Sequence, residues 1–121
     1  MNDKSQIGKT YDLEERTFEF ARDVRRFVKI LPMTLANVED SKQLIRSSGS
    51  VGANYREANE SLGKKDFLMR IKICRKEAKE SAYWLRLIET EEKVSENQRQ
   101  KLIVEANELM NIFGSIVRKS E

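Results

Sequence analysis

The side chains best placed to do chemistry lie in the middle of the chain, where basic residues outnumber acidic ones. Positions 64 to 79 hold seven basic and two acidic residues, whereas the whole chain has a net charge of only +3. At about 100° per residue, six basic side chains fall on one side of a helix, with Tyr83 among them. This set, called the basic face, consists of Lys65, Lys72, Arg75, Lys76, Lys79 and Arg86. It is a candidate surface for nucleic-acid phosphates, and an ordinary solvated face is the alternative.

A second group of candidates combines carboxylates, arginines and short polar side chains. Helical spacing on the second predicted helix aligns a polar stripe that consists of Arg46, Ser50, Asn54, Glu57 and Ser61. Gly49 and Ala53 flank this stripe, so we interpret it as a contact surface within the chain or between subunits. Plain solvated surface is the alternative. On the next predicted helix, Arg70 and Glu77 share one side with Trp84, which we expect to be largely buried. The candidate packing or interface residues are Arg46, Ser50, Asn54, Glu57, Asp66, Arg70, Glu77 and Glu80.

Two interpretations exist for the carboxylates near Arg70. Carboxylates inside a helical bundle can bind two metal ions, but that pattern uses Glu-x-x-His pairs. The chain has no histidine, so an ion-pair network is the favoured interpretation. The absence of histidine also removes Ser-His and Cys-His nucleophile pairs and most zinc sites. Cys74, the single cysteine, is predicted to be a small core residue, and we expect no catalytic site, metal or cofactor.

Four amphipathic patterns position these residues. The first helix begins at a capping box, residues 12–15, and stops before Pro32. The second is predicted over about 38–62, with Asn37 as its N-cap and Gly63 as a left-handed residue that ends it. The third begins near Asp66 and continues to about residue 88, and the fourth begins at a second capping box, residues 95–98. Gly52 lies on the core face of the second helix, which predicts close packing against another helix, and a locally weak or kinked helix is the alternative.

These patterns predict an all-α fold, an antiparallel up-down-up-down four-helix bundle. The bundle domain is predicted over residues 12–121, and residues 1–11 are predicted to form a flexible N-terminal arm. No apolar run approaches the roughly 18 residues that a membrane span needs. The polar N-terminus lacks a hydrophobic signal segment. We therefore expect a cytoplasmic protein without a membrane partner.

Two strings in the middle of the chain, LIRSSGSVGANYREANES and KKDFLMRIKICRKEAKESAYWLRLI, resemble a known family. They are closely similar to 23S rRNA-intervening-sequence proteins, a family of four-helix bundles. Val51 replaces the usual Ile. The positions that match the family pattern are Arg46, Ser47, Ser50, Gly52, Ala53, Asn54, Glu57, Ala58, Lys64, Asp66, Phe67, Lys76, Glu77, Ala78, Glu80, Tyr83, Trp84 and Leu85.

The resemblance implies a bundle and a ring-shaped homo-oligomer, with no known catalysis. The family name reflects reading frames within inserts of bacterial ribosomal RNA genes, so it describes genomic location and not an activity. Related bundles, including the accessory protein of diversity-generating retroelements, look like pentameric barrels with basic surfaces that engage nucleic acid. A pentamer is therefore the favoured assembly.

Taken together, the sequence predicts a non-enzymatic oligomeric bundle that binds the backbone of RNA or DNA through its basic face. The alternative is a purely structural scaffold oligomer whose partner is a protein. An enzyme that uses the acidic and arginine residues is a third hypothesis, with little support because no nucleophile–base pair or metal set is visible.

Overall fold

The computed structural model describes residues 12–121, which form four α-helices joined by short connections. These residues contain no β-strand, so the fold is all-α, as predicted. The predicted arm, residues 1–11, lies outside the described residues. The helices are α1 (Leu13–Lys29), α2 (Leu35–Asn59), α3 (Lys64–Leu87) and α4 (Lys93–Ser120).

Contacts between the helices show an antiparallel bundle. Asn59, at the end of α2, donates a hydrogen bond of 2.8 Å to the Glu14 side chain at the start of α1. Asn37, near the start of α2, bonds to Glu89 just beyond the end of α3. Each helix packs against the next, and α4 packs back against α1. The all-α bundle is therefore confirmed, and these contacts are consistent with the predicted up-down-up-down topology.

The core is a single apolar cluster to which all four helices contribute. Burying each large apolar side chain stabilises the fold by roughly 1.5–3 kcal/mol. Some small polar groups join the core with partners, as where the hydroxyls of Ser47 on α2 and Ser81 on α3 lie 2.8 Å apart. The buried Ser41 hydroxyl has no hydrogen-bond partner within residues 12–121. The largest fully buried apolar side chains are Phe20, Phe27, Leu44, Ile71, Leu85, Leu109 and Phe113.

The start of α1 follows the sequence prediction, whereas the start of α2 does not. Asp12 caps α1 by accepting from the Glu15 N–H at 3.2 Å. On α2 the N-cap is Thr34, which accepts from the Asn37 N–H, so the prediction of Asn37 as N-cap was wrong. Asn37 is instead fully buried one turn into the helix. Its side chain joins the two connections at this end of the bundle by bonding to the Pro32 carbonyl and to both backbone groups of Glu89.

The predicted end of α2 was also wrong. The helix stops at Asn59, and Gly63 is the extended N-cap of α3, with φ −151°. No glycine among residues 12–121 has a positive φ. Leu62, the last residue of the predicted helix range, is fully exposed because it lies in the connection and not on the helix.

The last helix begins earlier than predicted. It starts at Lys93, and Ser95 is buried inside its first turn and is not a cap. Within residues 12–121, no helix has both the length and the apolar character that a membrane crossing requires.

Candidate functional site

Arg46 on α2 bridges two carboxylates on α3. One of its guanidinium nitrogens lies 3.3 Å from Glu77 and 3.0 Å from Glu80. Glu77 is buried, whereas Arg46 remains exposed at the edge of the helix pair. The hydrogen bond that Arg46 donates to the Glu77 carboxylate is the main cause that raises the pKa of Arg46. A buried carboxylate requires such a partner, so this bridge stabilises the contact between α2 and α3.

Arg70 makes a different contact from the predicted pairing with Glu77. Its guanidinium donates to the Asn54 side-chain oxygen at 3.0 Å. The Asn54 amide nitrogen in turn donates to the Ser50 hydroxyl and carbonyl, both at 2.9 Å. Because α2 and α3 are antiparallel, Arg70 lies level with Asn54 while Glu77 lies level with Arg46. The ion-pair network thus exists, but Arg46 supplies its cation.

Two other candidate packing or interface residues make no ion pair with Arg46, Glu77 or Glu80 within residues 12–121. Glu57 and Asp66 are both exposed on the surface. Trp84 is partly buried at the margin of the core, which is less than the predicted burial. The polar stripe of α2 is therefore largely an intramolecular contact with α3. Sequence periodicity alone could not identify these partners, since it does not give the relative height of two helices.

The six residues of the basic face are all exposed on α3, as their spacing predicted. Lys72 lies 3.6 Å from Glu121, and this is the ion pair that the basic face makes within residues 12–121. The Arg75 stem passes near Gly114, so the face borders α4. Five of its six cations are thus free of ion pairs within the described residues and available to an anionic partner.

Large apolar side chains lie among these cations. Met69, Tyr83 and Leu87 are each about half exposed on α3. The sequence analysis noted Tyr83 in this position, but it did not predict an exposed Met69. A surface that mixes cations with an aromatic ring can contact both phosphates and bases.

A groove of about 700 Å³ separates the outer surfaces of α1 and α2. Its floor includes Gly49, Gly52 and Ala53, and the exposed Phe18 forms part of its wall. A β-carbon at Gly52 would lie only 3.0 Å from the Thr17 hydroxyl oxygen. The small residues therefore permit the close helix packing that was predicted, and they leave open surface beside it.

Reactive groups in the described residues are few. Cys74 is buried, and burial raises the pKa of its thiol to about 12, so the nucleophilic thiolate is disfavoured. No three His, Cys, Asp or Glu side chains within residues 12–121 are grouped so that they could hold a metal ion.

Comparisons with known proteins show the family. A family model described as 23S rRNA-intervening sequence protein matches residues 9–115, so the chain belongs to this family. A solved structure of a protein with unknown function from the S23 ribosomal protein family of Bacteroides thetaiotaomicron is similar, with 31% identity and a TM-score of 0.75. That similarity covers 86% of this chain and 96% of the other. A search of curated proteins gives no match.

Proposed function

We propose that this member of the 23S rRNA-intervening sequence protein family is a non-enzymatic, cytoplasmic homo-oligomer that binds RNA or DNA through the basic face of α3. The phosphate backbone is the ligand, and the contacts are electrostatic. The observation that carries the proposal is the charge of the α3 surface.

Helix packing leaves the basic excess of α3 on its outer surface. Between positions 64 and 79, six basic residues are exposed and only one acidic residue, Asp66, is exposed. Glu77 is buried against Arg46, and Arg70 is turned towards Asn54. The outward surface is thus almost free of negative charge, as a phosphate-binding surface requires.

Assembly would strengthen this weak surface. A single helix offers few cations, but a ring of identical subunits repeats them at fixed spacing on one assembly. Binding by one subunit then raises the effective concentration of the ligand at the next. Five subunits are the assembly that the family resemblance favours.

The test compares two triple substitutions that remove the same charge. In the first variant, Lys72, Lys76 and Lys79 are changed to Gln. In the control variant, the exposed Lys29, Lys42 and Lys101 on the other three helices are changed to Gln. Binding to RNA and DNA oligonucleotides of unrelated sequence is measured by fluorescence anisotropy at several salt concentrations.

We expect the first variant to lose affinity about equally for all sequences, because phosphate contacts carry no base information. Its slope of log K against log salt should be smaller by about 2 to 3 per chain engaged. The control should stay close to the wild type. Failure of the wild type to bind any RNA or DNA at about 50 mM salt would contradict the proposal.

The exposed Met69 and Leu87 favour a second candidate, a scaffold oligomer whose partner is a protein. In that case the wild type would not bind nucleic acid in the same assay. Whether the wild type binds nucleic acid therefore distinguishes the two candidates.

A further inference from the structure

Tyr83 is the exposed aromatic residue that lies within the basic face. Its exposed fraction is 55%, so more than half of its surface is in contact with solvent. Lys79 lies about one helical turn before it and Arg86 about one turn after it, and both are exposed. The nearby Glu80 is paired with Arg46 at 3.0 Å, on the side of α3 that meets α2. An aromatic ring therefore lies between two cations that make no ion pair within residues 12–121.

Trp84 supports the Tyr83 ring from one side. The two ring centroids are 5.0 Å apart, and the ring planes meet at 75° in an edge-to-face contact. Trp84 is itself packed against the core, so it gives Tyr83 a fixed neighbour. A side chain restrained in this way loses less freedom when a ligand binds.

We propose that Tyr83 is a stacking platform for an unpaired base, and that the ligand of the basic face is single-stranded RNA or DNA and not a duplex. This inference rests on the proposed function. In a duplex, each base is covered by its neighbours, and proteins reach only the base edges in the grooves. An unpaired base can lie flat on the ring while Lys79 and Arg86 contact the phosphates on either side.

Phe18 on α1 shows why exposure alone is not sufficient. Its exposed fraction is 52%, close to that of Tyr83. However, the Arg22 guanidinium lies over its ring, 5.5 Å from the centroid. The groove beside it is lined by three acidic and three basic residues, so it lacks the excess of positive charge that the basic face has. Phe18 is therefore a control with a similar exposed area outside the basic face. Because Phe18 also lines the groove between α1 and α2, the affinity of its variant is compared with that of the wild type at equal mass in light scattering.

The experiment measures the affinity of the full chain for a short single strand and for its duplex. The variants are Tyr83→Ala, Tyr83→Phe and the control Phe18→Ala, and light scattering gives the mass of each. We expect Tyr83→Ala to weaken single-strand binding by at least about fivefold. Duplex binding should change less than twofold, and the salt slope should be retained because no charge is removed. Tyr83→Phe should retain the affinity, since the ring performs the stacking.

A second readout uses the single tryptophan of the chain. Because Trp84 contacts Tyr83, a base stacked on Tyr83 should alter the Trp84 fluorescence. We expect this change with the single strand and not with the duplex.

The outcomes separate the two proposals. Equal loss of single-strand and duplex affinity in Tyr83→Ala, or no loss in either, would overturn the stacking role while leaving backbone binding intact. A changed mass of Tyr83→Ala would identify Tyr83 as a subunit contact and would also overturn it. Absence of all nucleic-acid binding by the wild type would overturn both proposals.

Discussion

Glu96 near the start of α4 is held by three neighbouring side chains. It accepts hydrogen bonds from Thr90 at 2.7 Å, from Arg99 at 2.8 Å and from Gln100 at 2.7 Å. These bonds, with that of Arg99 the strongest cause, lower the pKa of Glu96 from 4.5 to about 2. Arg99 also donates to the Leu85 carbonyl at 3.1 Å. Glu96 thereby connects the end of α3 to the start of α4.

The lowered pKa predicts a pH-dependent contribution to stability. Because the folded protein favours the ionised Glu96, its contribution is complete above about pH 4.5 and is lost as the pH falls towards 2. Glu96→Gln should therefore lower the Tm at pH 7, and the difference from the wild type should shrink towards pH 2. Thermal melts followed by circular dichroism measure this difference. Glu91→Gln removes an exposed carboxylate from the same connection and serves as control. A difference that is constant with pH would contradict the prediction.

The sequence predicted which residues are exposed better than it predicted their partners. Exposure of Lys76 and Lys79 follows from angular position on one helix, and periodicity gives that angle. The partner of Glu77 depends on the relative height of α2 and α3, which the spacing within either helix does not contain. Arg70 lies on the side of α3 that faces α2, but it is level with Asn54. The ion pair with Glu77 is therefore made by Arg46.

At the scale of the helices, Gly52 permits α1 and α2 to pack closely. At this residue α1 approaches so closely that an added β-carbon would lie 3.0 Å from the Thr17 Oγ1 and 3.3 Å from its Cβ. Thr17 is buried and its hydroxyl donates to the Leu13 carbonyl, so it has little room to move. At Gly49, one turn earlier, the nearest atom is the end of the flexible Arg25 side chain, at 3.4 Å.

This difference predicts opposite effects for two alanine substitutions. Gly49→Ala should stabilise the protein by up to about 1 kcal/mol, because Ala is the better helix former. Gly52→Ala gains the same helix propensity, but its added β-carbon pushes α1 away from α2. Such overpacking costs about 1–3 kcal/mol. We expect a net loss of about 1 kcal/mol for Gly52→Ala. Urea unfolding at one fixed protein concentration measures both changes, and equal values for the two variants would contradict this explanation.

The sequence predicted the four helices, but it predicted less well where each helix begins and ends. Asp12 caps α1 as predicted, because an acidic residue directly before the apolar pattern is a local signal. The start of α2 was missed because Leu35 is exposed and adds nothing to the pattern of buried residues. Gly63 has the residue type of a helix end, but the chain there is extended and begins α3.

At the scale of the whole molecule, the surfaces of the bundle differ in their suitability for self-association. Two copies cannot readily join through their basic faces, since like charges would meet. The groove between α1 and α2 has small residues at its floor and an exposed Phe18 in its wall. The three arginines of its lining are matched by three acidic residues, so a second copy can approach there with little net repulsion. If the chain assembles as proposed, we expect the subunit contact to use this groove and to leave the basic face for the ligand.

The last prediction tests this division of surfaces. Ala53 is exposed on the groove floor, so Ala53→Arg should change subunit stability by no more than about 0.5 kcal/mol. Its long side chain should nevertheless block the approach of another subunit. In light scattering at micromolar concentration, we expect the wild type near 70 kDa, about five times the chain mass of 14.1 kDa, and Ala53→Arg near 14.1 kDa. The variant with Lys72, Lys76 and Lys79 changed to Gln should keep the wild-type mass. A wild-type mass of 14.1 kDa would refute assembly, whereas full assembly of Ala53→Arg would place the subunit contact outside the groove.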